Sequence, residues 1–468
     1  MHDLAGFRLV DARTGQLRTL ALIASVASAL ESRLSDRRGE SVAIVIADKF
    51  DLVTVLLAAS QLAVRLVPLD PFSPAAAQSA FVSASGARTI IADHEIDTGS
   101  DSQTVITVQE LLLAANEPDR VISFPAMQSH WLFFTSGSTG TPKGVEFSSD
   151  MVRHNVRLAL DALPFEPGFR TASMLPAYHT FTLIGDIMTA FAVQGSCVIL
   201  PDFEIAQLDF ILEALATHQV QTFSGVPVIH EVMTAFADRM TGLTLRFVTS
   251  GAAPLRAELV ERYARLFDHP IVPCYGMTEG VCFLSISDPA RVRPGSAGVP
   301  RVELRIVDDR DDPVTSGKIG NIQVKGTSVI RNGYFNNQAS LKESYADGGW
   351  LRTGDIGYLD CDGQLFITGR SKNLIIRGGK KVYLEDLEAL FDAGTVAAVA
   401  QGGENRERFV FFYEAEKYDD RSVSELISGR LGIDHMPDRF IPIAQIPRSP
   451  TGKLKRQILA EGLQRGSY

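Results

Sequence analysis

Between residues 41 and 285 the sequence alternates short runs of β-branched and apolar residues with longer helical patterns. The run 41–47 is apolar along most of its length, and 246–250 has Phe and Val at its centre; we interpret both as buried strands, which in parallel sheets are covered on both faces. The helical pattern after the first run, residues 52–63, suits a crossover between parallel strands. This alternation predicts an α/β fold with doubly wound, largely parallel sheets and helices on both faces. Ligands bind beyond the carboxyl ends of such strands, so functional residues are expected in the loops there.

The pattern changes after residue 295. Residues 295–368 contain short strand patterns separated by Gly and Asp turns, which predict a small antiparallel, β-barrel-like subdomain. Past residue 370 the pattern is mixed α+β. Because 468 residues exceed what one hydrophobic core usually supports, we expect two domains. The N-terminal domain is predicted over residues 1–369, and a small mobile C-terminal domain over 370–468.

The composition of the chain restricts the kinds of partner and the location that can be expected. The chain has 45 Lys and Arg against 55 Asp and Glu, a net charge of −10, and no long basic block, which argues against nucleic-acid binding. The four cysteines have no CxxC spacing, so neither a disulfide framework nor a zinc site is expected, and a cytoplasmic location is the simplest interpretation. Residues 1–14 lack a signal-peptide pattern. The apolar stretch 20–30 is too short to span a membrane.

The strongest motif follows an apolar strand pattern and is Thr-Ser-Gly-Ser-Thr-Gly-Thr-Pro-Lys-Gly, over residues 135–144. Glycines allow the backbone to approach a ligand closely, so that its N–H groups and the hydroxyls can surround a polyphosphate. Lys143 adds a positive charge. The loop is not a Walker A motif, because Pro142 precedes the lysine and Gly144 stands where Ser or Thr would hold magnesium. A P-loop kinase or GTPase is therefore disfavoured.

This loop resembles the signature loop of the adenylate-forming superfamily, which includes acyl- and aryl-CoA synthetases, peptide-synthetase adenylation domains and firefly-type luciferases. The resemblance covers nearly the whole chain, because four further motifs follow in the family's order. They are Ser-Gly-Ala-Ala-Pro-Leu at 250–255, Tyr-Gly-Met-Thr-Glu at 275–279, Leu-Arg-Thr-Gly-Asp at 351–355 and Ser-Pro-Thr-Gly-Lys at 449–453. In motif character the chain is closest to the acyl- and aryl-CoA ligases.

The resemblance implies a nucleotide site. Tyr275 would pack on adenine beside the 250–255 turn, and Thr278 would bind the α-phosphate. Glu279 would help to hold Mg²⁺, for which a carboxylate is a suitable hard ligand. Asp355 would bind both ribose hydroxyls, since a carboxylate can accept two hydrogen bonds at once.

The resemblance also implies functions for two lysines and for a loop with two glycines. Lys453 matches the catalytic lysine, whose ammonium would stabilise the charge that develops on the carboxylate and α-phosphate in the transition state. Lys372 matches the hinge between the domains, next to Arg370, the second ribose contact. Gly378 and Gly379 resemble the loop beside the incoming pantetheine, which favours transfer to a thiol. Free CoA and a carrier protein present the same pantetheine arm, so both acceptors stay open.

Few positions in the sequence restrict the identity of the acid substrate. His179 resembles the residue that gates the acyl pocket, although a lone His is also explained as a core residue. Amino-acid adenylation domains carry an Asp at the next position, where this chain has Thr180 and no acidic neighbour before Asp186. An unpaired ammonium in a dry pocket is costly, so an α-amino acid is not expected. Cys274 stands where CoA ligases usually have Gly, and it shortens the pocket unless it packs into the core. A compact aromatic or short-to-medium acid is predicted.

These motifs predict an ATP- and Mg²⁺-dependent enzyme that forms acyl-AMP and pyrophosphate, then transfers the acyl group to CoA or to carrier-protein phosphopantetheine. A non-thiol acceptor and a catalytically silent binding homologue remain as alternatives. The candidate catalytic residues are Lys453, Thr278, Glu279 and His179, and the candidate metal ligands are Glu279 and Thr139. The candidate cofactor-binding residues are Thr135, Ser136, Gly137, Ser138, Thr139, Gly140, Lys143, Gly251, Ala252, Ala253, Tyr275, Asp355, Arg370, Lys372, Gly378 and Gly379. The candidate substrate-pocket residues are Thr180, Ser224, Gly225, Cys274 and Met277.

Overall fold

The computed structural model describes residues 6–96, 103–115, 120–135, 143–337, 344–377, 380–392, 394–401, 408–448 and 454–468. The strands within these ranges are β1 (Arg8–Asp11), β2 (Leu17–Thr19), β3 (Ser41–Val45), β4 (Arg65–Pro68), β5 (Thr89–Ala92), β6 (Thr104–Thr107), β7 (His130–Thr135), β8 (Lys143–Ser148), β9 (Arg170–Ser173), β10 (Ser196–Ile199), β11 (Thr222–Gly225), β12 (Val248–Ser250), β13 (Ile271–Gly276), β14 (Phe283–Ile286), β15 (Val299–Pro300), β16 (Glu303–Val307), β17 (Gly320–Lys325), β18 (Tyr345–Ala346), β19 (Trp350–Leu359), β20 (Leu365–Arg370), β21 (Leu374–Arg377), β22 (Lys380–Tyr383), β23 (Val396–Gln401), β24 (Arg408–Glu414) and β25 (Arg439–Ile443).

The α-helices are α1 (Leu20–Leu34), α2 (Lys49–Ala59), α3 (Ala75–Ser85), α4 (Val108–Leu113), α5 (Ser149–Ala162), α6 (Thr180–Thr182), α7 (Thr189–Ala192), α8 (Leu208–Thr217), α9 (Pro227–Ala235), α10 (Ala257–Leu266), α11 (Leu384–Glu388), α12 (Asp420–Leu431) and α13 (Arg456–Arg465). A π-helical turn, Leu183–Met188, connects α6 to α7 without a break. Short turns of 3-10 helix lie at Phe124–Ala126, Ile205–Gln207, Ala237–Met240, Thr278–Gly280, Pro289–Arg291, Ser371–Asn373 and Ile433–His435.

A six-stranded sheet has the order β6-β5-β3-β4-β7-β8. Its strands are parallel from β6 to β7, and β7 and β8 pair antiparallel. Every residue of β3 is buried, which fits a strand covered on both faces. The parallel arrangement predicted from the strand–helix alternation is confirmed in this sheet.

Helix α2 begins at Lys49, earlier than residue 52, where the hydrophobic pattern places its start. The carboxylate of Asp48, just before it, accepts a hydrogen bond from the backbone N–H of Asp51 at 2.8 Å. This bond satisfies one of the N–H groups that the first helical turn leaves unpaired. The capping residue, rather than the apolar pattern, therefore sets the start of the helix.

A nine-stranded sheet has the order β15-β14-β13-β12-β11-β9-β10-β1-β2. Its strands are parallel from β13 to β1, whereas β14, β15 and β2 pair antiparallel at the two edges. The strand order reverses at β9, because β10 lies on one side of it and β11 on the other. In open α/β sheets the carboxyl ends of the strands at such a reversal form a crevice that binds ligands. The ends of β9 and β11 are therefore expected to lie near a ligand.

The remaining strands form smaller sheets. Strands β16, β17, β19 and β18 form an antiparallel sheet, with β20 paired to β19, so the antiparallel prediction for residues 295–368 is confirmed. Beyond residue 370, β21 and β22 form a hairpin, and β23 to β25 form a mixed sheet with apolar clusters of its own. Arg256, just before α10, donates to the backbone carbonyls of Glu388 and Phe391 and so connects the two parts of the chain.

The four cysteines are free thiols: Cys197 and Cys282 are buried, Cys274 is half-buried and Cys361 is exposed. Among the described helices, none combines the length and the hydropathy that a membrane span requires.

Candidate active site

Three predicted nucleotide-binding residues meet at Asp355. The hydroxyl of Tyr275, near the end of β13, donates to Oδ2 of Asp355 at 2.7 Å. Nε of Arg370, at the end of β20, lies 2.9 Å from Oδ1. Asp355 and Arg370 are direct partners in the antiparallel pairing of β19 and β20. The pairing of β19 and β20 therefore places the guanidinium, and the end of β13 supplies the phenol.

The chemistry of this group fits a diol ligand. Asp355 is only 4% exposed, so its carboxylate is held in place by two donors, one on each oxygen. Each carboxylate oxygen can accept a second hydrogen bond, which leaves acceptor capacity for two vicinal hydroxyls. Burial and the nearby Asp355 carboxylate raise the pKa of Tyr275 well above its usual value, so the phenol remains a donor. The same carboxylate raises the pKa of Arg370.

A second group forms around Glu279, which lies in the 3-10 turn Thr278–Gly280 and is 8% exposed. Its Oε1 accepts a hydrogen bond from the hydroxyl of Tyr334 at 2.8 Å. The ammonium of Lys143 lies 4.7 Å from the centroid of the Tyr334 ring, within the range of a cation–π interaction. Tyr334 thus connects the lysine of the phosphate loop to the predicted metal ligand.

Sequence reasoning missed Tyr334, which follows no local motif. Its position depends on a contact far along the chain, where the N–H of Phe335 donates to the carbonyl of Gly144 at 2.7 Å. Only a signal for this long-range bridge could have identified it.

Glu279 can supply one ligand to a divalent cation, although the described residues contain no group of three or more His, Cys, Asp or Glu side chains that would hold a metal by themselves. Among the described residues, no Lys, Arg or His forms an ion pair with Glu279. A buried carboxylate without a cationic partner is costly, and a hard oxygen ligand of this kind suits Mg²⁺. Thr139, the other predicted metal ligand, lies outside the described residues.

The backbone directly after the 275–279 motif is strained. Val281 has a φ of 66° and is fully buried, and the N–H of Cys282 donates to the carbonyl of Gly280 at 2.8 Å. This is a γ-turn centred on a β-branched residue, an arrangement that is rare for such side chains. A strained residue of this kind costs roughly 1–3 kcal/mol and occurs mostly at functional sites.

Two predicted glycines are required by close packing. A Cβ on Gly251 would lie 2.9 Å from Cζ of Phe181, and a Cβ on Gly225 would lie 2.6 Å from Nε2 of His230. The N–H of Gly251 donates to the carbonyl of Gly225 at 3.2 Å, so the turns after β11 and β12 are adjacent. Ala252 is exposed and left-handed, with a φ of 64°. Ala253, the next residue, is half-buried in the same turn.

Ser224 has a partner that the sequence did not predict. Its N–H and its hydroxyl both donate to Oδ1 of Asp186, at 2.8 and 2.7 Å. Asp186 is 1% exposed and lies in the π-helical turn, and burial raises its pKa to about 8. The sequence argument searched for an acid beside Thr180, whereas the helical turn brings one to the predicted pocket from farther along the chain.

The remaining described pocket residues differ in burial. His179 is exposed, which disfavours its interpretation as a core histidine, and its ring centroid lies 4.8 Å from that of Tyr178. Thr180 is buried and Met277 is half-buried. The thiol of Cys274 lies 3.5 Å from the carbonyl of Val272 and packs partly against the large apolar core, so its effect on pocket length stays a prediction.

Several candidates cannot be placed. Residues 136–140, Gly378, Gly379 and Lys453 lie outside the described residues, and the side chain of Thr135 is not described either. Lys372 is exposed within the 3-10 turn Ser371–Asn373. Arg448 and Leu454 form an isolated antiparallel bridge.

Comparison with known proteins supports the family resemblance that the motifs indicate. The family model described as AMP-binding enzyme matches residues 18–335. A sulfoacetate–CoA ligase of Cupriavidus necator is 32% identical over 69% of this chain and 65% of its own length. An oxalate–CoA ligase of Saccharomyces cerevisiae is 29% identical over 72% of this chain. The chain thus spans less than two thirds of these relatives, 65% of the first and 63% of the second. The crystal structure of ATP-bound MatB from Rhodopseudomonas palustris superposes with a TM-score of 0.85 at 24% identity, covering 99% of this chain and 97% of that one.

Proposed function

The chain belongs to the AMP-binding enzyme family, and from this premise we propose that it activates a carboxylic acid with ATP and transfers the acyl group to CoA. The observation that carries the proposal is the buried Asp355 carboxylate, held by Tyr275 and Arg370 and still able to accept two hydroxyls. The relatives that the chain matches are acid–CoA ligases, which supports the reaction class.

In the first step an oxygen of the acid attacks the α-phosphorus of ATP. The new P–O bond forms as the bond to pyrophosphate breaks, giving acyl-AMP. Asp355 would orient the ribose, Thr278 would donate to the α-phosphate, and Lys453 would stabilise the negative charge that develops in the transition state. Mg²⁺ bound at Glu279 would neutralise phosphate charge, and Tyr334 would hold that carboxylate in position.

In the second step a thiolate attacks the acyl carbon and AMP leaves. We propose that the segment containing Gly378 and Gly379 lines the path of the thiol, and that the part from residue 370 to 468 changes its orientation about Lys372 between the steps. Lys372 lies in the 3-10 turn that connects β20 of the antiparallel sheet to β21 of the following hairpin, and this position supports the role. Closure around the mixed anhydride would also protect it from water.

The acid is proposed to be compact and not an α-amino acid, because burial raises the pKa of Asp186, the acid at the predicted pocket, to about 8 and so leaves little negative charge to pair an ammonium at neutral pH. Sulfoacetate and oxalate, the acids of the two relatives, are small. Phe181 packs closely against Gly251, which limits the room beside the predicted pocket. CoA is favoured as the acceptor because these relatives are CoA ligases, and a carrier protein is the alternative. The free thiols of the chain suit the reducing cytoplasm.

The test is ATP–pyrophosphate exchange with a panel of acids, followed by thioester formation with CoA or with a holo-carrier protein. Exchange that depends on one class of acid and is lost in Asp355→Ala supports the proposal. Absence of exchange with every acid, in a protein that still binds ATP, would identify a silent binding homologue. Exchange without transfer to either thiol would point to a different acceptor.

A further inference from the structure

The carboxyl group of Asp186 lies where the nine-stranded sheet divides. The register between β9 and β11 runs only through Thr222 and Phe223. At the next residue, Ser224, the backbone N–H donates to Oδ1 of Asp186 at 2.8 Å instead of to a strand carbonyl. Asp186 therefore occupies the split between β9 and β11 at their carboxyl ends, which is also where the strand order reverses. This is the position at which open α/β sheets bind ligands.

The split is polar on one face. The hydroxyl of Thr249 donates to that of Ser224 at 3.1 Å, and that of Ser224 donates to Asp186 at 2.7 Å. Since Thr171 pairs with Thr222 and side chains alternate along a strand, Ser173 at the end of β9 lies on the same face as Ser224. The π-helical turn covers this face, and such turns are frequent at functional sites.

Two of these polar atoms lack a partner. Oδ2 of Asp186 and Oγ of Ser173 are buried and have no hydrogen-bond partner among the described residues. Burial raises the pKa of Asp186 to about 8, so the carboxyl group is mostly protonated at neutral pH. Because Oδ1 already accepts two hydrogen bonds, the proton resides on Oδ2, which leaves an unpaired buried donor. Such a group costs about 1–3 kcal/mol unless an acceptor reaches it.

The predicted acyl pocket is adjacent to this split. A Cβ on Gly185 would lie 2.7 Å from Oγ of Ser224 and 3.4 Å from Cζ of Phe283. The ring of Phe283 lies 6.1 Å from that of Phe181, which in turn packs on Gly251. An acyl group that packs against these rings at the strand ends would have its far end near Asp186.

We infer that Asp186 is a specificity-determining residue whose carboxyl group donates a hydrogen bond to an uncharged oxygen, a hydroxyl or a carbonyl, at the end of the acid remote from its reacting carboxylate. An anionic end, which the sulfoacetate and oxalate of the two relatives both have, is disfavoured in this chain, because the ammonium of Lys49 near this site is already paired with Asp202 and with the carbonyl of Leu200. An apolar end would leave the Asp186 donor unpaired. This inference rests on the proposed acid activation and names the class of acid.

The test compares matched acids in ATP–pyrophosphate exchange. One series is benzoate, 4-hydroxybenzoate and terephthalate, and the other is pentanoate, 4-oxopentanoate and glutarate. In the wild type, kcat/KM for the hydroxyl or keto acid should exceed that for the apolar acid at least tenfold, because a site with a buried hydrogen-bonding group rejects analogues that lack the partner. The dicarboxylates should be the poorest substrates.

Asp186→Ala should bring the ratio of polar to apolar acid close to one, whereas Asp186→Asn, whose amide can donate from the same position, should keep most of the preference. Thr222→Val is the matched control. It removes a buried hydroxyl from the same face of β11, two residues before Ser224 and outside the split, and should leave the ratio unchanged. Thermal unfolding shows whether each variant is folded, and the Asn variant keeps the test decisive if Ala is not.

The inference is overturned if the wild type shows no preference, prefers the dicarboxylates, or keeps its preference in Asp186→Ala. Equal exchange with polar and apolar acids would contradict this inference alone and leave acid activation supported. No exchange with any of the six acids, or with a wider panel, would contradict the proposed function and this inference together.

Discussion

The hydroxyl of Tyr275 reaches the carboxylate of Asp355 at 2.7 Å, although 80 positions separate the two residues in the sequence. The bond connects the end of β13 in the nine-stranded sheet to β19 in the antiparallel sheet. This partly buried hydrogen bond therefore helps to fix the proposed adenine site relative to the proposed ribose site.

Tyr275→Phe should raise KM for ATP and lower kcat/KM for ATP about tenfold, because hydrogen bonds to charged groups are worth about 1.5–3 kcal/mol and Arg370 still holds Asp355. The ring stays in place, so KM for the acid should change little. Tyr358→Phe is the control, since it removes a phenol hydroxyl from the same strand as Asp355. Equal effects of the two changes would mean that the Tyr275 hydroxyl has no special role.

Tyr334→Phe should raise the Mg²⁺ concentration needed for half-maximal pyrophosphate exchange, because Glu279 loses the hydroxyl that orients it. The phenyl ring retains its contact with Lys143, whereas Tyr334→Ala loses both contacts and should have the larger effect. Tyr345→Phe, which removes a hydroxyl bonded to the carbonyl of Ile330 at 2.7 Å, tests for a general loss of stability. An unchanged Mg²⁺ dependence in both Tyr334 variants would contradict a positioning role.

Lys453→Ala should reduce acyl-AMP formation about 100- to 1,000-fold, which is typical of the loss of one charge-stabilising contact. Thiolysis of supplied acyl-AMP should be largely retained, because this lysine is proposed to act in the first step alone. Lys455→Ala changes an exposed lysine two residues away and serves as the control. Near wild-type pyrophosphate exchange in Lys453→Ala would remove Lys453 from the mechanism.

The stability of the protein should carry a pH signature of Asp186. Its pKa is raised to about 8 in the folded protein, so between its unfolded pKa near 4 and about 8 the folded state binds a proton that the unfolded state does not. Stability from this group is therefore present at low pH and is lost as pH rises towards 8. Asp186→Asn does not titrate, so its melting temperature relative to the wild type should rise from pH 5 to pH 8. A constant difference would mean that Asp186 is ionised in the folded protein.

The sequence predicted the site residues that belong to short motifs, and it missed those whose hydrogen-bond partners lie far along the chain. Tyr275, Asp355 and Arg370 were each assigned from short motifs, and the structure brings them together. Tyr334 and Asp186 were missed because their partners, Glu279 and Ser224, are 55 and 38 positions away. Periodicity shows which face of an element is apolar, but not which distant side chain will meet it.

The fold, like the site, could be predicted from the sequence only where the signal is local. Strand–helix alternation predicted the parallel sheets, because buried parallel strands have a composition that can be recognised locally. The order of the strands could not be predicted in this way, since the placement of β10 and β11 on opposite sides of β9 depends on packing across the whole sheet. That order creates the split at Asp186, the part of the site that no motif indicated.

Cys274→Gly tests the size of the pocket. Cys274 is half-buried, and its thiol lies 3.5 Å from the carbonyl of Val272 beside the apolar core. Glycine at this position would leave the volume of the side chain free. If that space belongs to the acyl pocket, the variant should accept acids longer by a methylene or two. A methylene in an apolar pocket is worth about 1–3 kcal/mol, so the preference along a homologous series should shift at least tenfold, mainly through KM. Cys361→Gly removes an exposed thiol elsewhere and should leave the series unchanged. Identical kcat/KM ratios for wild type and Cys274→Gly would show that the thiol belongs to the core, and that the close packing of Phe181 on Gly251 limits the acid instead.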